Sequence, residues 1–156
     1  MKIVTLETNQ GIIKLKLFPK IAPKTCFNFM ELIKRGAYDG TIFHRVIPGF
    51  MVQGGQVQGA SSVFNGKGFE DELSDEVNFS RPGALAMANQ GKGTNTNGSQ
   101  FFITLAHTDW LNGYHTIFGE LFGGYKTVWK MCKGPRDGAN KPLEDQKIIK
   151  AYLEIA

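Results

Sequence analysis

Two periodicities alternate along the chain. Ile13, Leu15 and Leu17 are separated by Lys14 and Lys16, the spacing of two by which a strand buries one face and wets the other. Ile3-Val4-Thr5-Leu6 reads as a preceding strand, and ETNQG between them has hairpin chemistry, with Asn9 and Gly11 both able to take positive φ. The period then changes. In APKTCFNFMELIKRGAY, Cys26, Phe29, Met30 and Ile33 fall at i, i+3, i+4 and i+7. Pro23 suits a first helical position, while Lys34, Arg35 and Gly36 suit a last turn and its cap, so a helix is predicted from Pro23 to Arg35.

Residues 41–55 carry short β-like pieces broken by Pro48, Gly49, Gly54 and Gly55. Residues 56–80 are polar and glycine-rich, contain the acidic run FEDELSDE, and read as one long irregular connection, a kind that is usually functional or mobile. Ala84 to Ala88 form a short strand of small residues, the turn-rich loop NQGKGTNTNGS follows, and SQFFITLA returns to strand with Phe101 and Phe102 facing opposite ways. His115 to Leu121 read as another strand. Tyr125, Val128, Trp129 and Cys132 form a short amphipathic helix stopped by Gly134-Pro135. Ile149, Ala151, Leu153 and Ile155 alternate with polar residues in a closing strand. Many short strands and two helices predict a mostly antiparallel β architecture, a closed barrel or a sandwich.

Composition narrows the picture. A chain of 156 residues, 42% hydrophobic and 21% charged, is the length of a single domain, residues 1–156, with a real core. The net charge of +4 comes from scattered lysines with no basic run, which argues against a nucleic-acid surface. No apolar span or leader pattern is visible, which argues against a membrane, and two distant cysteines without a CxxC pair predict buried free thiols in a reducing cytoplasm.

Candidate chemistry is first a set of absences. There is no phosphate-binding glycine motif, no HExxH and no GxSxG, and His44, His107 and His115 lack metal-ligand spacing, so no metal and no cofactor are expected. Glu70, Asp71, Glu72, Asp75 and Glu76 lack the alternating ligands and turn glycine of a calcium loop, and read as a solvated segment with capping carboxylates. Cys132, His115 and Asp109 have the residue types of a thiol triad, but Cys132 falls on the apolar side of its helix.

Three segments instead combine apolar residues with a few fixed polar ones: FHRVIPGFMVQGG at 43–55, AMANQGKGTNTNGSQFFI at 86–103, and WLNGYH at 110–115. An arginine and a glutamine among Phe, Val, Ile and Met suit neither a buried strand nor a surface loop. They suit an apolar pocket with placed polar groups.

These runs, with MAN at 87–89 and WLNGYHTIFGEL at 110–121, closely resemble the cyclophilins, the cyclosporin-binding peptidyl-prolyl isomerases, and the resemblance extends over nearly the whole chain. It implies a closed eight-stranded antiparallel β-barrel capped by two α-helices, with the active groove on the outside. It implies a catalytic role for Arg45 and a proline pocket of Phe50, Met51, Phe102, Leu111 and His115, flanked by Gln53 and Gln100. Ala88 and Asn89 match the positions that hold the peptide backbone, and Trp110 the tryptophan tied to cyclosporin. The implied partners are proline-containing peptides and unfolded proteins, with cyclosporin as inhibitor and the protein a monomer. A non-catalytic module holding proline segments in the same groove is the alternative. The chain departs from the family pattern at QVQGASSVFNGKG, where Gly59 is a possible contact. It departs again at Gln90 to Thr94, where Gln90 is placed to alter substrate choice or cyclosporin affinity.

Overall fold

The first hairpin forms where alternation places it. Strand β1 (Lys2–Thr8) pairs antiparallel with β2 (Gly11–Leu17), and Leu6, Ile13 and Leu15 are fully buried. Only Gly11 of the turn takes positive φ, at +133°. Asn9 instead uses its side chain: Nδ2 donates to the Asp145 carbonyl (2.8 Å) and Oδ1 accepts from the Lys147 N–H (2.8 Å). A turn amide spent on a distant segment has no need of left-handed backbone. In this computed structural model, residues 1–57, 62–64 and 66–154 are described. Gly59 and Ile155 lie outside them.

Helix α1 spans Pro23–Lys34, with Arg35 as its C-cap rather than its last turn. Its N-terminus has no side-chain cap of its own, since Ala22 occupies the cap position. The carboxylate of Glu72 supplies one from 47 residues away, Oε1 accepting from the N–H (2.6 Å) and hydroxyl (2.7 Å) of Thr25 and Oε2 from the N–H of Lys24 (3.1 Å). An anion there satisfies orphan amides and meets the positive end of the helix dipole. The other strands are β3 (Arg45–Ile47), β4 (Met51–Gly54), β5 (Ala84–Met87), β6 (Phe101–Thr104), β7 (Ile117–Gly123) and β8 (Ile148–Glu154), with helix α2 (Tyr125–Met131) between β7 and β8. Strand β7 begins two residues later than the alternation suggested, leaving His115 and Thr116 outside it.

All pairings are antiparallel, in the order β3-β4-β6-β5-β7-β2-β1-β8. The architecture is therefore mostly β with two helices, as expected, but the ladder is open: the eight-stranded sheet curls into a half-barrel, and its edge strands β3 and β8 do not pair. Strand β3 has only three residues before Pro48-Gly49 turns the chain, and it pairs with β4 alone. The segments preceding the two edge strands meet instead, through an Ile42–Lys147 bridge and the N–H of Phe43 on the Gln146 carbonyl (2.8 Å).

The concave face holds an aromatic core. Phe29 of α1 lies 5.1–5.3 Å, centroid to centroid, from Tyr38, Phe101 and Phe118. This core explains the glycines after Gln53. A Cβ on Gly54 would sit 2.7 Å from the Ile42 carbonyl, and one on Gly55 (φ +81°) would sit 2.7 Å from the Phe101 ring. Cys26 is buried, its thiol pushed up to about 12, whereas Cys132 is only half-buried. The irregular segment after residue 61 is tied down by side chains: Asn28 Oδ1 accepts from the Val63 N–H (2.9 Å), and Asn97 Nδ2 donates to the Phe69 carbonyl (3.0 Å).

Candidate active site

Strand β6 divides core from site. Phe101 points into the aromatic core, while Phe102, next in the strand, packs with Met51, Phe79 and Ile117 in a second apolar cluster on the opposite face. Antiparallel pairing sets Gln53 opposite Phe102 on one side and opposite Arg45 on the other. Register alone thus lines up a cation, an amide and an aromatic ring across three neighbouring strands.

These groups border a cleft of 280 Å³. Strands β3 and β4 bring Arg45, Met51 and Gln53 to it, the turn between them brings Phe50, and Ala88 and Asn89 come from the end of β5. Phe102, Leu111 and His115 complete the lining. Nine of the eleven sequence-predicted positions therefore meet in one place. Gln100 and Trp110 do not line it. Gln100 lies in an adjoining depression, where its Oε1 accepts from Gln53 Nε2 (3.1 Å). Trp110 stands at the rim, 64% exposed, its ring 5.8 Å from that of Phe50. Gln90 lines that same adjoining depression rather than the cleft. Larger depressions exist, one of 850 Å³, but that one mixes Glu76, Arg81 and Glu120 on its walls and includes Tyr125 of α2. The smaller cleft sets a lone guanidinium, Arg45, against the aromatic and aliphatic walls of Phe50, Met51, Phe102 and Leu111.

Arg45 is exposed and makes no ion pair among the described residues, so its guanidinium donors are available to a ligand. His115 is held from behind: Nδ1 donates to the Met87 carbonyl (2.8 Å), and the ring meets Phe102 edge-on at 5.1 Å. Phe102 in turn stacks on Phe79 at 6.1 Å. This backing was not visible in the sequence, because a backbone carbonyl leaves no residue-type signal. Among the described residues no group of His, Cys, Asp and Glu could hold a metal, and no helix is long and apolar enough to cross a membrane.

Residues 3–153 match the sequence model of the family described as cyclophilin type peptidyl-prolyl cis-trans isomerase/CLD. The chain belongs to this family. Among curated cyclophilin relatives, peptidyl-prolyl cis-trans isomerase-like 1 of Homo sapiens is 52% identical over 153 residues, covering 96% of this chain and 90% of that one. Peptidyl-prolyl cis-trans isomerase ppi1 of Schizosaccharomyces pombe is 47% identical over 155 residues, covering 97% and 98%. A crystal structure of a Cryptosporidium parvum cyclophilin superposes with a TM-score of 0.94 at 39% identity, covering 99% of this chain and 98% of that one. A second structure of that parasite protein, in the presence of the dipeptide Ala-Pro, gives a TM-score of 0.93. The chain is accordingly an enzyme of the peptidyl-prolyl cis-trans isomerase class.

Burial holds the imidazole of this cyclophilin's His115 below its usual value, outweighing the Met87 hydrogen bond and the Asp71 charge, which act the other way. Burial also lowers His44, reinforced by the Arg45 and Lys141 cations. Both rings bind protons less readily folded than unfolded, so stability is lost as pH falls through the unfolded value of 6.5 toward the lower folded values. The urea midpoint is expected to decline from about pH 7 to about pH 5 and to be level above, with the decline reduced in a His115→Phe variant. A flat profile across that window would contradict the assignment. The carboxylates of Glu70, Asp137 and Glu154 are held below their usual values by hydrogen bonds from Lys24, from the Lys141 and Ala139 backbone, and from Lys14, and so stay outside that window.

Proposed function

We propose that the 280 Å³ cleft takes the proline ring of a Xaa-Pro segment and that Arg45 accelerates its cis-trans rotation. The observation that carries this reading is the exposed, unpaired guanidinium set beside Phe50, Met51 and Phe102. Rotation about an imide breaks no bond between heavy atoms. Its barrier, about 20 kcal/mol, is the loss of amide resonance. As the bond twists, the proline nitrogen regains a lone pair and becomes a hydrogen-bond acceptor. A donor aimed at that lone pair acts only at the top of the barrier, which is the condition for raising kcat. Arginine is permanently charged and presents a rigid fork of donors.

The apolar walls hold the ring while the preceding carbonyl swings, and they exclude water that would stabilise the planar dipole. Met51, Phe102, Leu111 and His115 serve this role, with Phe50 at the mouth. Asn89 and the backbone at Ala88 hold the peptide chain. The carboxamide pair Gln53–Gln100, already hydrogen-bonded, flanks the cation and fixes the substrate's approach. Support comes also from the relative solved with Ala-Pro present. In this reading the protein works as a cytoplasmic monomer on proline-containing and unfolded chains, assisting their folding.

A protease-coupled isomerase assay on a Xaa-Pro peptide tests the proposal, acceleration over the uncatalysed rate being the expected result and its absence the refuting one. The same assay, titrated with cyclosporin, is expected to show inhibition through Trp110 at the rim. Undiminished activity at micromolar drug would place Gln90 and its loop in conflict with that surface.

A further inference from the structure

A second depression, of 410 Å³, shares His115 with the cleft. We propose that it is a subsite for a lysine or arginine side chain of the same polypeptide whose proline occupies the cleft; the inference rests on the reading above.

Val77, Phe79 and Ile117 supply apolar lining, beside the polar Ser74, Asn78 and Asn112. Asp75 stands on its wall as the only carboxylate among its lining residues, and His115 is the only other titratable one. The Asp75 side chain is exposed and makes no hydrogen bond or ion pair among the described residues. A mixed lining with apolar side chains beside a carboxylate unpartnered among the described residues complements a side chain with a hydrocarbon stem and a cationic tip. A purely apolar side chain would leave the carboxylate unused, and an acidic one would be repelled. Further along, Glu76 and Glu120 face one guanidinium, Arg81, so the negative sign continues beyond the subsite.

The site is built in advance of any ligand. The Phe79 N–H donates to Asn112 Oδ1 (2.9 Å), and its carbonyl accepts from the Thr108 N–H (2.9 Å), fixing one wall to the other. Glu72, three residues before Asp75, is anchored to α1 and donates its own N–H to the Thr116 hydroxyl (2.9 Å). Cleft and subsite share the His115 imidazole in their linings. An extended chain advancing roughly 3.3 Å per residue crosses that width within two or three residues of the proline.

The test uses the intact protein and a set of fluorescent proline peptides, identical except for lysine, norleucine or glutamate placed one to three residues to either side of the proline. Binding is read by anisotropy and turnover by the isomerase assay. At one position lysine is expected to bind about three- to fivefold tighter than norleucine, the size of a solvent-exposed ion pair, and the difference shrinks in high salt. Asp75→Asn abolishes the difference while leaving the norleucine peptide unchanged. Equal binding of lysine and norleucine at every position, or a preference that survives Asp75→Asn, overturns the subsite even if turnover is normal. A preference that depends on Asp75 without any turnover supports the subsite and overturns the isomerase reading. Absence of all binding overturns both.

Discussion

Replacing Arg45 by alanine is expected to lower kcat/KM for a Xaa-Pro peptide by about 100-fold while leaving the unfolding midpoint almost unchanged. The size follows from the role. One preorganised charged donor aimed at an atom that becomes an acceptor only in the transition state is worth roughly 3 kcal/mol, by comparison with removal of a single oxyanion-hole donor. Each 1.36 kcal/mol is tenfold in rate, as a standard conversion. The loss falls on kcat rather than KM, because the ground-state ring is gripped by Phe102, Met51 and Leu111, none of which the mutation touches. Stability is spared because the side chain is exposed and makes no ion pair among the described residues. Arg45→Lys keeps the charge but not the fork and is expected to fall between the two. Near-wild-type turnover in Arg45→Ala would remove the arginine from the mechanism. The same variant separates enzyme from binder: it should still hold a proline peptide that it no longer turns over quickly.

The converse experiment is Phe29→Ala. This ring is fully buried and touches three other aromatic rings at 5.1–5.3 Å, so truncation forfeits both its transfer free energy and the edge contacts, and leaves a cavity that stiff neighbours cannot fill. A loss of about 4 kcal/mol in unfolding free energy is expected by urea denaturation, a large part of the roughly 5–15 kcal/mol a domain possesses. Below its midpoint the variant should isomerise at nearly the normal rate, since Phe29 belongs to the core cluster and the cleft is walled by the other one. A loss under about 1 kcal/mol would mean that the aromatic core relaxes around the gap.

Where local periodicity and burial agree, the sequence was legible. Ile13, Leu15 and Leu17 alternate because β2 has one buried face, and the Pro23 helix differs from its prediction by a single residue at the C-terminus. The opposed rings of Phe101 and Phe102 followed from strand geometry alone, and nine of the eleven site positions converge as the family resemblance implied. What escaped was decided by partners distant in the chain. Asn9 forgoes left-handed backbone for Asp145 and Lys147. His115 leaves its strand to meet the Met87 carbonyl, and Glu72 caps a helix 47 residues earlier. The barrel closure that the resemblance implied is absent from the ladder: β3 and β8 stay as edges, and only the segments preceding them meet. Gln100 and Trp110 border the cleft rather than line it: the first, just before β6, lines the neighbouring depression and bonds Gln53, and a short 3-10 turn lifts the second into solvent.

A four-residue strand that carries one ring of the interior and the adjacent ring of the proposed proline cleft has an evolutionary corollary. Its positions answer to two masters, foldability and turnover, and so should tolerate little drift. The exposed side chains of Asp75 and Gln90 make no core contact. Client preference in descendants of this scaffold is therefore expected to diversify along those borders while the floor beneath the proline stays constant.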